Sequence, residues 1–260
     1  MATNFMERKQ HKLGRIKPLL RPGLDYAETP LHLNFLNEGL KAKYNIVVTS
    51  NVSANSYDPI ALSIIEQCKD SLVLDCGAGK QATYFDNVVN FEIVAYDSTD
   101  VIGVGEELPF QDKSFDAVLS LNVLEHVKNP FACAVEIARV LKPGGRLYCV
   151  VPFLQPLHAY PHHYYNMSAE GLRNLFNGLL HIQQQQVIAS GLPIWTLSWF
   201  LRSWLDGLDS AARKRFSKMR VGELVGNPLD YLSQSWVMQL STEKNFELAS
   251  TTALIATKHG

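Results

Sequence analysis

Apolar and polar positions change rhythm along this chain. Between Tyr57 and Val151, short unbroken apolar runs alternate with segments whose apolar residues recur every three to four positions. The first helical segment opens at Asp58-Pro59, an N-cap residue followed by proline at the first helical position. It runs through Ile60, Leu62, Ile64 and Ile65 to about Lys69. Ser71-Leu72-Val73-Leu74-Asp75-Cys76 follows and closes on Gly77-Ala78-Gly79, and an apolar run ended by a glycine turn predicts a buried parallel strand. Residues 115–120 predict another strand. Asn129-Pro130 repeats the cap-and-proline signal, with Phe131, Val135, Ala138 and Leu141 along one helical face. Lys142-Pro143-Gly144-Gly145 stops that helix, and residues 146–151 predict the next strand. Strand and helix in alternation imply βαβ units, so the fold class is α/β with a doubly wound, mostly parallel sheet.

The flanks are less regular. Residues 168–176 predict a helix, 182–189 a strand and 251–258 the last strand. Leu197, Phe200, Leu201, Trp204 and Leu208 share one helical face, with Trp195 and Trp199 beside it. Such a stripe is a core or covering face, and a partner or membrane surface is its other use. Residues 22–55 show no period and are expected to form loops and short helices over a site. Arg8, Lys9, Lys12, Arg15, Lys17 and Arg21 stand against Glu7 alone, which predicts a solvated, partly ordered arm; contact with an anionic partner is the other reading. The expected organisation is an arm and cover over 1–56 and a main domain over 57–260, with a helical insertion at about 192–245.

Composition narrows this picture. The 260 residues suit one large α/β domain with additions, or two small domains. With 47% hydrophobic and 19% charged residues, the chain is not of the disordered class. A formal net charge of −1 gives no global electrostatic case for nucleic acid. Cys68, Cys76, Cys133 and Cys149 are widely spaced inside apolar segments, the pattern of reduced core thiols. No apolar run reaches the roughly 18–20 residues of a membrane span, and the N-terminus lacks a signal-peptide core. A cytoplasmic location is therefore expected, with peripheral membrane contact through the tryptophan face still open.

The main candidate site is the glycine loop. In a doubly wound sheet, ligands sit beyond the carboxyl ends of the strands. Glycine lets the backbone approach a ligand with no Cβ in the way. Asp75 can hold the turn or meet a cationic ligand group. Gly77-x-Gly79-x-x-Ala82 also fits the dinucleotide fingerprint, which makes an NAD(P) or nucleotide-sugar enzyme one reading. Against it stand the acidic residue before the first glycine, the distance of the strand from the N-terminus, and the blocks that follow.

Those blocks are VLDCGAG (73–79), LPFQDKSFDAV (108–118), VLEHV (123–127) and ARVLKPGGR (138–146). In order and spacing the chain resembles the class I S-adenosylmethionine-dependent methyltransferases, in particular the type 11 group that includes the ubiquinone and menaquinone biosynthesis enzymes. A further block within 152–176, PLHAYPHHYYNMSAEGLRNLF, is similar to a subgroup associated with surface-glycan or small-molecule pathways. The resemblance implies a seven-stranded Rossmann-like sheet with helices on both faces and an antiparallel last strand. It implies S-adenosyl-L-methionine as cofactor and methyl transfer to a small-molecule or glycan-linked acceptor.

By the same resemblance, Asp75, Gly77 and Gly79 line the methionine end of the cofactor. An acidic residue ending the second strand accepts from the ribose hydroxyls, and Glu92 and Asp97 compete for this role. Geometry favours Glu92: the third strand starts near Asp100, and Ser98 and Thr99 alone cannot make a parallel crossover. Residues 93–99 then form the connection, short enough that its helix is reduced or missing. Many relatives carry an adenine-binding Asp where this chain has Val104; either Glu106 substitutes, or backbone and apolar contacts hold the ring. Asn122, just before VLEHV, completes the expected cofactor set. Lys80 or Gln81 stands where many relatives have a third glycine.

Methyl transfer from a sulfonium needs alignment more than acid–base help. A base matters when the acceptor is a hydroxyl or a protonated amine. His126, His158, His162 and His163, with Tyr160, Tyr164 and Tyr165, follow the fourth and fifth strands. His158, His162 and His126 are the catalytic candidates, with structural hydrogen bonding as their other role. The histidine spacing matches no helical pair and no carboxylate or thiol completes a set, so no metal is expected. A non-catalytic relative that binds a partner through the helix around Trp199 is a further reading, motivated by Val104 and Lys80.

Overall fold

The computed structural model describes residues 2–47, 49, 54, 56–158 and 162–254. Among these, β1 (Ala27–Glu28), β2 (Leu33–Asn34), β3 (Val73–Cys76), β4 (Val88–Glu92), β5 (Val101–Ile102), β6 (Phe115–Leu121) and β7 (Leu141–Val150) form one sheet. Its order is β1-β2-β5-β4-β3-β6-β7, with β1 antiparallel and every other pairing parallel. The chain leaves β3 toward β4 and β5, then returns to β6 on the other side of β3. That reversal makes the carboxyl ends of β3 and β6, beside β4, the switch point of a doubly wound sheet, the place where such sheets bind ligands.

Helices cover both faces. Asp58 caps α3 (Pro59–Gln67) by accepting from Ala61 N, and Asn129 caps α4 (Pro130–Val140) by accepting from Ala132 N; α1 (Ala2–Ile16) and α2 (Glu38–Tyr44) precede them. Ala61, Ile64 and Ile65 of α3 meet Val73, Val88, Ala117 and Leu119 on one face. On the other, Leu13 and Ile16 of α1, Cys133, Ala134 and Ile137 of α4, and Leu175 and Phe176 of α5 (Ala169–Phe176) meet Leu74, Val89, Phe91 and Val118. Alternate residues of each strand point to opposite layers, so both faces of the central strands are buried.

The structure corrects four expectations. The basic segment is not a solvated arm. It forms α1, and Lys9 and Lys12 are fully buried. The connections from β3 to β4 and from β4 to β5 carry no α-helix, and α1 packs on the face they leave bare. Residues 22–55 were expected without strands, yet Leu33 pairs with Val101 and adds β2 and β1 to the sheet edge. Residues 182–189 do not form a strand: Gln185 instead bonds Arg173 and the carbonyl of Ala169 on α5. An apolar face is missing from that glutamine run, and Val187 is exposed. The antiparallel strand of the sheet is β1 rather than the last; 251–254 have no strand, and 255–258 lie outside the described residues.

The chain divides into two compact units, 1–153 with 159–185, and 154–158 with 186–260. Residues 1–56, expected as a separate arm and cover, fall inside the first. The second is helical: α6 (Pro193–Asp206), α7 (Ser210–Phe216), α8 (Val221–Leu224), α9 (Ser235–Met238) and α10 (Thr242–Leu248). Leu208, Ala212, Phe216, Trp236 and Leu240 form its core, with Leu201 and Trp204 packed against them. Leu197, expected on the same buried face, is exposed, as are Trp195 and Trp199. No helix among the described residues is long and apolar enough to cross a membrane.

Candidate active site

Strand pairing brings the first elements of the site together. Cys76 lies opposite Phe91, and the N–H groups of Gly77 and Ala78 both donate to the Phe91 carbonyl, at 2.9 and 3.1 Å. The glycine loop after β3 thus sits beside Glu92, the last residue of β4. Gly79 N donates to Glu92 Oε2 and Ile93 N to Glu92 Oε1, each at 2.8 Å. Burial raises the Glu92 pKa, and the backbone donors of Gly79, Ile93 and Val94 work against it. Asp97 is exposed, and residues 93–100 contain no helix, so β4 ends where the crossover argument placed it.

Gly77 has φ +93° and Gly79 φ +61°, backbone that L side chains rarely adopt. At Gly77 the missing side chain serves packing. A Cβ there would lie 2.4 Å from Val123 Cγ2, so the valine of the VLEHV block fills the space that a ligand was expected to use.

Asp75, buried at the end of β3, accepts from Tyr57 Oη at 2.5 Å. Burial pushes its carboxyl up to about 7, the Tyr57 phenol pulls it down, and the charge of Glu92 adds to the rise. Val104 is buried with Leu36 and Ile102, with Leu40, Tyr44 and Ile46 against them. Glu106 turns toward α4, where its Oε1 accepts from Asn129 N at 3.3 Å, and burial raises its pKa. Asn122, just past β6, is exposed, has φ +56°, and donates its N–H to the Val150 carbonyl.

The segment 162–166 lies against the turn after β6. Tyr164 N and Tyr165 N both donate to the Glu125 carbonyl, at 2.7 and 3.2 Å. His126 Nδ1 is 2.9 Å from the His162 carbonyl oxygen. A carbonyl only accepts, so Nδ1 carries the hydrogen and Nε2 is the basic nitrogen of the neutral ring. That Nε2 is 3.6 Å from Oε1 of the buried Glu125. The His162 ring stacks on Tyr164, and its Nε2 is 3.0 Å from both the amide nitrogen and the backbone oxygen of Asn45, at the end of α2. His126 and His162 are therefore joined in the first unit. His158 belongs to the second, where it faces Pro156 O and the Trp199 ring. Tyr160 lies outside the described residues. Sequence reasoning missed Tyr57, Val123 and Asn45; only Tyr57 had a local signal, being next to the Asp58-Pro59 cap.

The fold and these loops define a doubly wound α/β domain with its switch point at the carboxyl ends of β3 and β6, beside β4. Residues 72–149 match the methyltransferase domain family, and this part of the chain is similar to class I S-adenosylmethionine-dependent methyltransferases. A ubiquinone biosynthesis O-methyltransferase of Maricaulis maris is 52% identical over 48 residues, covering 18% of this chain and 19% of that protein. An uncharacterized protein of Methanocaldococcus jannaschii is 36% identical over 104 residues, 35% of this chain and 45% of its own length. A demethylmenaquinone methyltransferase of Tropheryma whipplei is 56% identical over 41 residues, 16% and 17% respectively. The chain thus matches less than half the length of each of these relatives. Among solved structures, the 1,6-didemethyltoxoflavin-N1-methyltransferase of Burkholderia thailandensis aligns with TM-score 0.38 at 18% identity, covering 52% of this chain and 73% of that one.

The residues at the switch point fit S-adenosylmethionine. Asp75, buried, and Glu92, half-buried, flank a loop with two left-handed glycines, and desolvation raises the pKa of both carboxyls. Such acids are matched by a ligand that brings a positive charge and hydroxyl donors. The dinucleotide reading fits less well. That fingerprint places the pyrophosphate at a helix N-terminus, and residues 77–87 form no helix.

Proposed function

We propose that the protein transfers a methyl group from S-adenosylmethionine to a small-molecule or glycan-linked acceptor. The observation that carries this reading is the Glu92 carboxylate, which ends β4 and accepts the Gly79 N–H of the loop ending β3. It sets an acceptor for ribose hydroxyls beside the loop that takes the methionine end. In this reading Asp75 faces the ligand's amino group, and the buried apolar cluster around Val104 takes the place of the adenine-binding Asp of many relatives.

The bound cofactor supplies a methyl group on a positively charged sulfur. A hydroxyl or protonated amine acceptor would also need a base for its proton. In this reading His126 is that base, through Nε2, with the buried Glu125 carboxylate 3.6 Å away to stabilise the imidazolium. The His162 backbone and the Asn45–His162–Tyr164 contacts hold the ring in place.

Thermal melting tests the proposal. S-adenosylhomocysteine should raise Tm, by an amount equivalent to about 2.7 kcal/mol at one hundred times Kd, while NAD, NADP and UDP-sugars leave it unchanged. A shift with NAD alone would overturn it.

A further inference from the structure

Asp75 is the one acid of the glycine-loop strand, and its surroundings determine what charge it can present. Its side chain is buried, and Oδ2 accepts from the Tyr57 phenol at 2.5 Å. Tyr57 is firmly placed. The next residue, Asp58, caps α3 through Ala61 N and also accepts from Tyr148 Oη. The Tyr57 ring itself packs 5.9 Å from Phe85.

We propose that Tyr57 is a positioning residue of the cofactor site: its phenol holds the Asp75 carboxylate ready for the protonated amino group of the ligand's methionine end, which makes the pair the determinant of preference for that charge. This inference rests on reading the glycine loop as the S-adenosylmethionine site.

The electrostatics support it. The groups facing Asp75 are the Tyr57 phenol, the Glu92 carboxylate and the neighbouring Cys76 thiol. Burial and the charge of Asp75 push the phenol far above its ordinary pKa, with Asp100 adding to the rise, so Tyr57 stays a donor. Burial and the charge of Asp75, with Glu92 adding to it, push the Cys76 thiol up and keep it protonated. The carboxyl of Asp75 is itself pushed up to about 7. A cationic amino group favours the ionised carboxylate, so binding near neutral pH releases a proton from Asp75. Affinity then tightens about tenfold per pH unit up to the Asp75 midpoint and levels off above it. Removing the phenol removes an interaction that favours the ionised form, which moves the midpoint upward.

Titration calorimetry of S-adenosylhomocysteine between pH 5.5 and 8.5 tests this on wild type, Tyr57→Phe and Asp75→Asn. Tyr57→Phe should bind about tenfold more weakly than wild type at pH 6.5 and recover to within about threefold at pH 8.5. Asp75→Asn should bind weakly with no slope across the range. 5′-Methylthioadenosine, which lacks the amino acid moiety, should bind all three proteins equally at every pH. A Tyr57→Phe loss that is constant with pH, or that extends equally to 5′-methylthioadenosine, overturns the inference and leaves the cofactor reading intact. A wild type that fails to bind S-adenosylhomocysteine at pH 8.5 overturns both.

Discussion

Lys12 Nζ donates to Asp100 Oδ2 at 2.9 Å, and both side chains are fully buried. Lys9, one turn earlier on α1, donates to the other oxygen at 2.9 Å. Tyr84 Oη and Asn90 N also donate to this carboxylate. One side chain thereby ties together α1, the connection that carries the glycine loop, β4 and the connection after Glu92. Asp100→Asn would leave two buried ammonium groups without a counter-charge, which costs about 3–5 kcal/mol for a broken buried pair. A large fall in Tm is expected. The triple variant Lys9→Met, Lys12→Met, Asp100→Asn should recover most of it, because an apolar replacement of a buried ion group is often neutral. Thermal melts by circular dichroism decide; an unchanged Tm in Asp100→Asn would show that this cluster does not hold α1.

Gly77→Ala should destabilise the fold as well as the site. The new Cβ meets Val123 Cγ2 at 2.4 Å and adds strain at φ +93°. Overpacking of this kind costs typically about 1–3 kcal/mol. Shortening the neighbour, in Gly77→Ala with Val123→Ala, should recover part of the lost Tm. No recovery would place the cost in the backbone strain alone.

Glu92→Ala should weaken S-adenosylhomocysteine binding by roughly ten- to a hundredfold, in line with about 1.5–3 kcal/mol for hydrogen bonds to a charged group. Asp97→Ala, at an exposed position, should change it by less than about twofold. Calorimetry on the two variants gives the ranking, and the reverse order would move the ribose contact to the connection after β4.

What could be read from the sequence divides along local and distant causes. The caps at Asp58 and Asn129, the ends of β3 and β4, and the missing helix between Glu92 and Asp100 all follow from signals within about ten residues, and the structure has them. The basic segment was misread because burial of Lys9 and Lys12 depends on Asp100, about ninety positions away. β1 and β2 are two residues each, too short to set a period. The role of Gly77 escaped for the same reason: its close neighbour, Val123, comes from another block. Pattern reports which side a residue faces, not which distant partner makes that burial tolerable.

Asp75 also predicts how the ligand-free protein responds to pH. Its pKa in the folded chain is about 7, against an ordinary 3.8. The folded state holds that proton more tightly, so the contribution is fully present below about 3.8 and is lost as pH rises through about 7. Asp75→Asn removes this dependence. Relative to wild type, the variant should therefore gain Tm on going from pH 5 to pH 8 in the absence of ligand. A constant difference between the two proteins across that range would mean that Asp75 does not titrate there.

The last expectation separates two histidines that the structure joins. His126 offers a basic Nε2 because its Nδ1 hydrogen is given to the His162 carbonyl at 2.9 Å. That contact uses the main chain of His162 and survives truncation of its side chain. The His162 ring has another setting, beside the side-chain amide nitrogen and the backbone oxygen of Asn45 and stacked on Tyr164. With a hydrogen on Nε2 the ring donates to the Asn45 backbone carbonyl, and without one it accepts from the Asn45 side-chain amide, so either tautomer is held. His126→Ala should lower turnover by roughly 10²–10⁴-fold, the range of a general base, while S-adenosylhomocysteine affinity changes by less than about threefold. His162→Ala should cost only several-fold in turnover, through looser placement of His126. Single-turnover methyl transfer to an acceptor drawn from a panel of hydroxyl and amine compounds, run beside calorimetry, measures both effects. Equal losses in the two variants with cofactor binding intact would assign the proton to His162, and parallel loss of Tm and cofactor affinity in both would leave the pair a purely structural role.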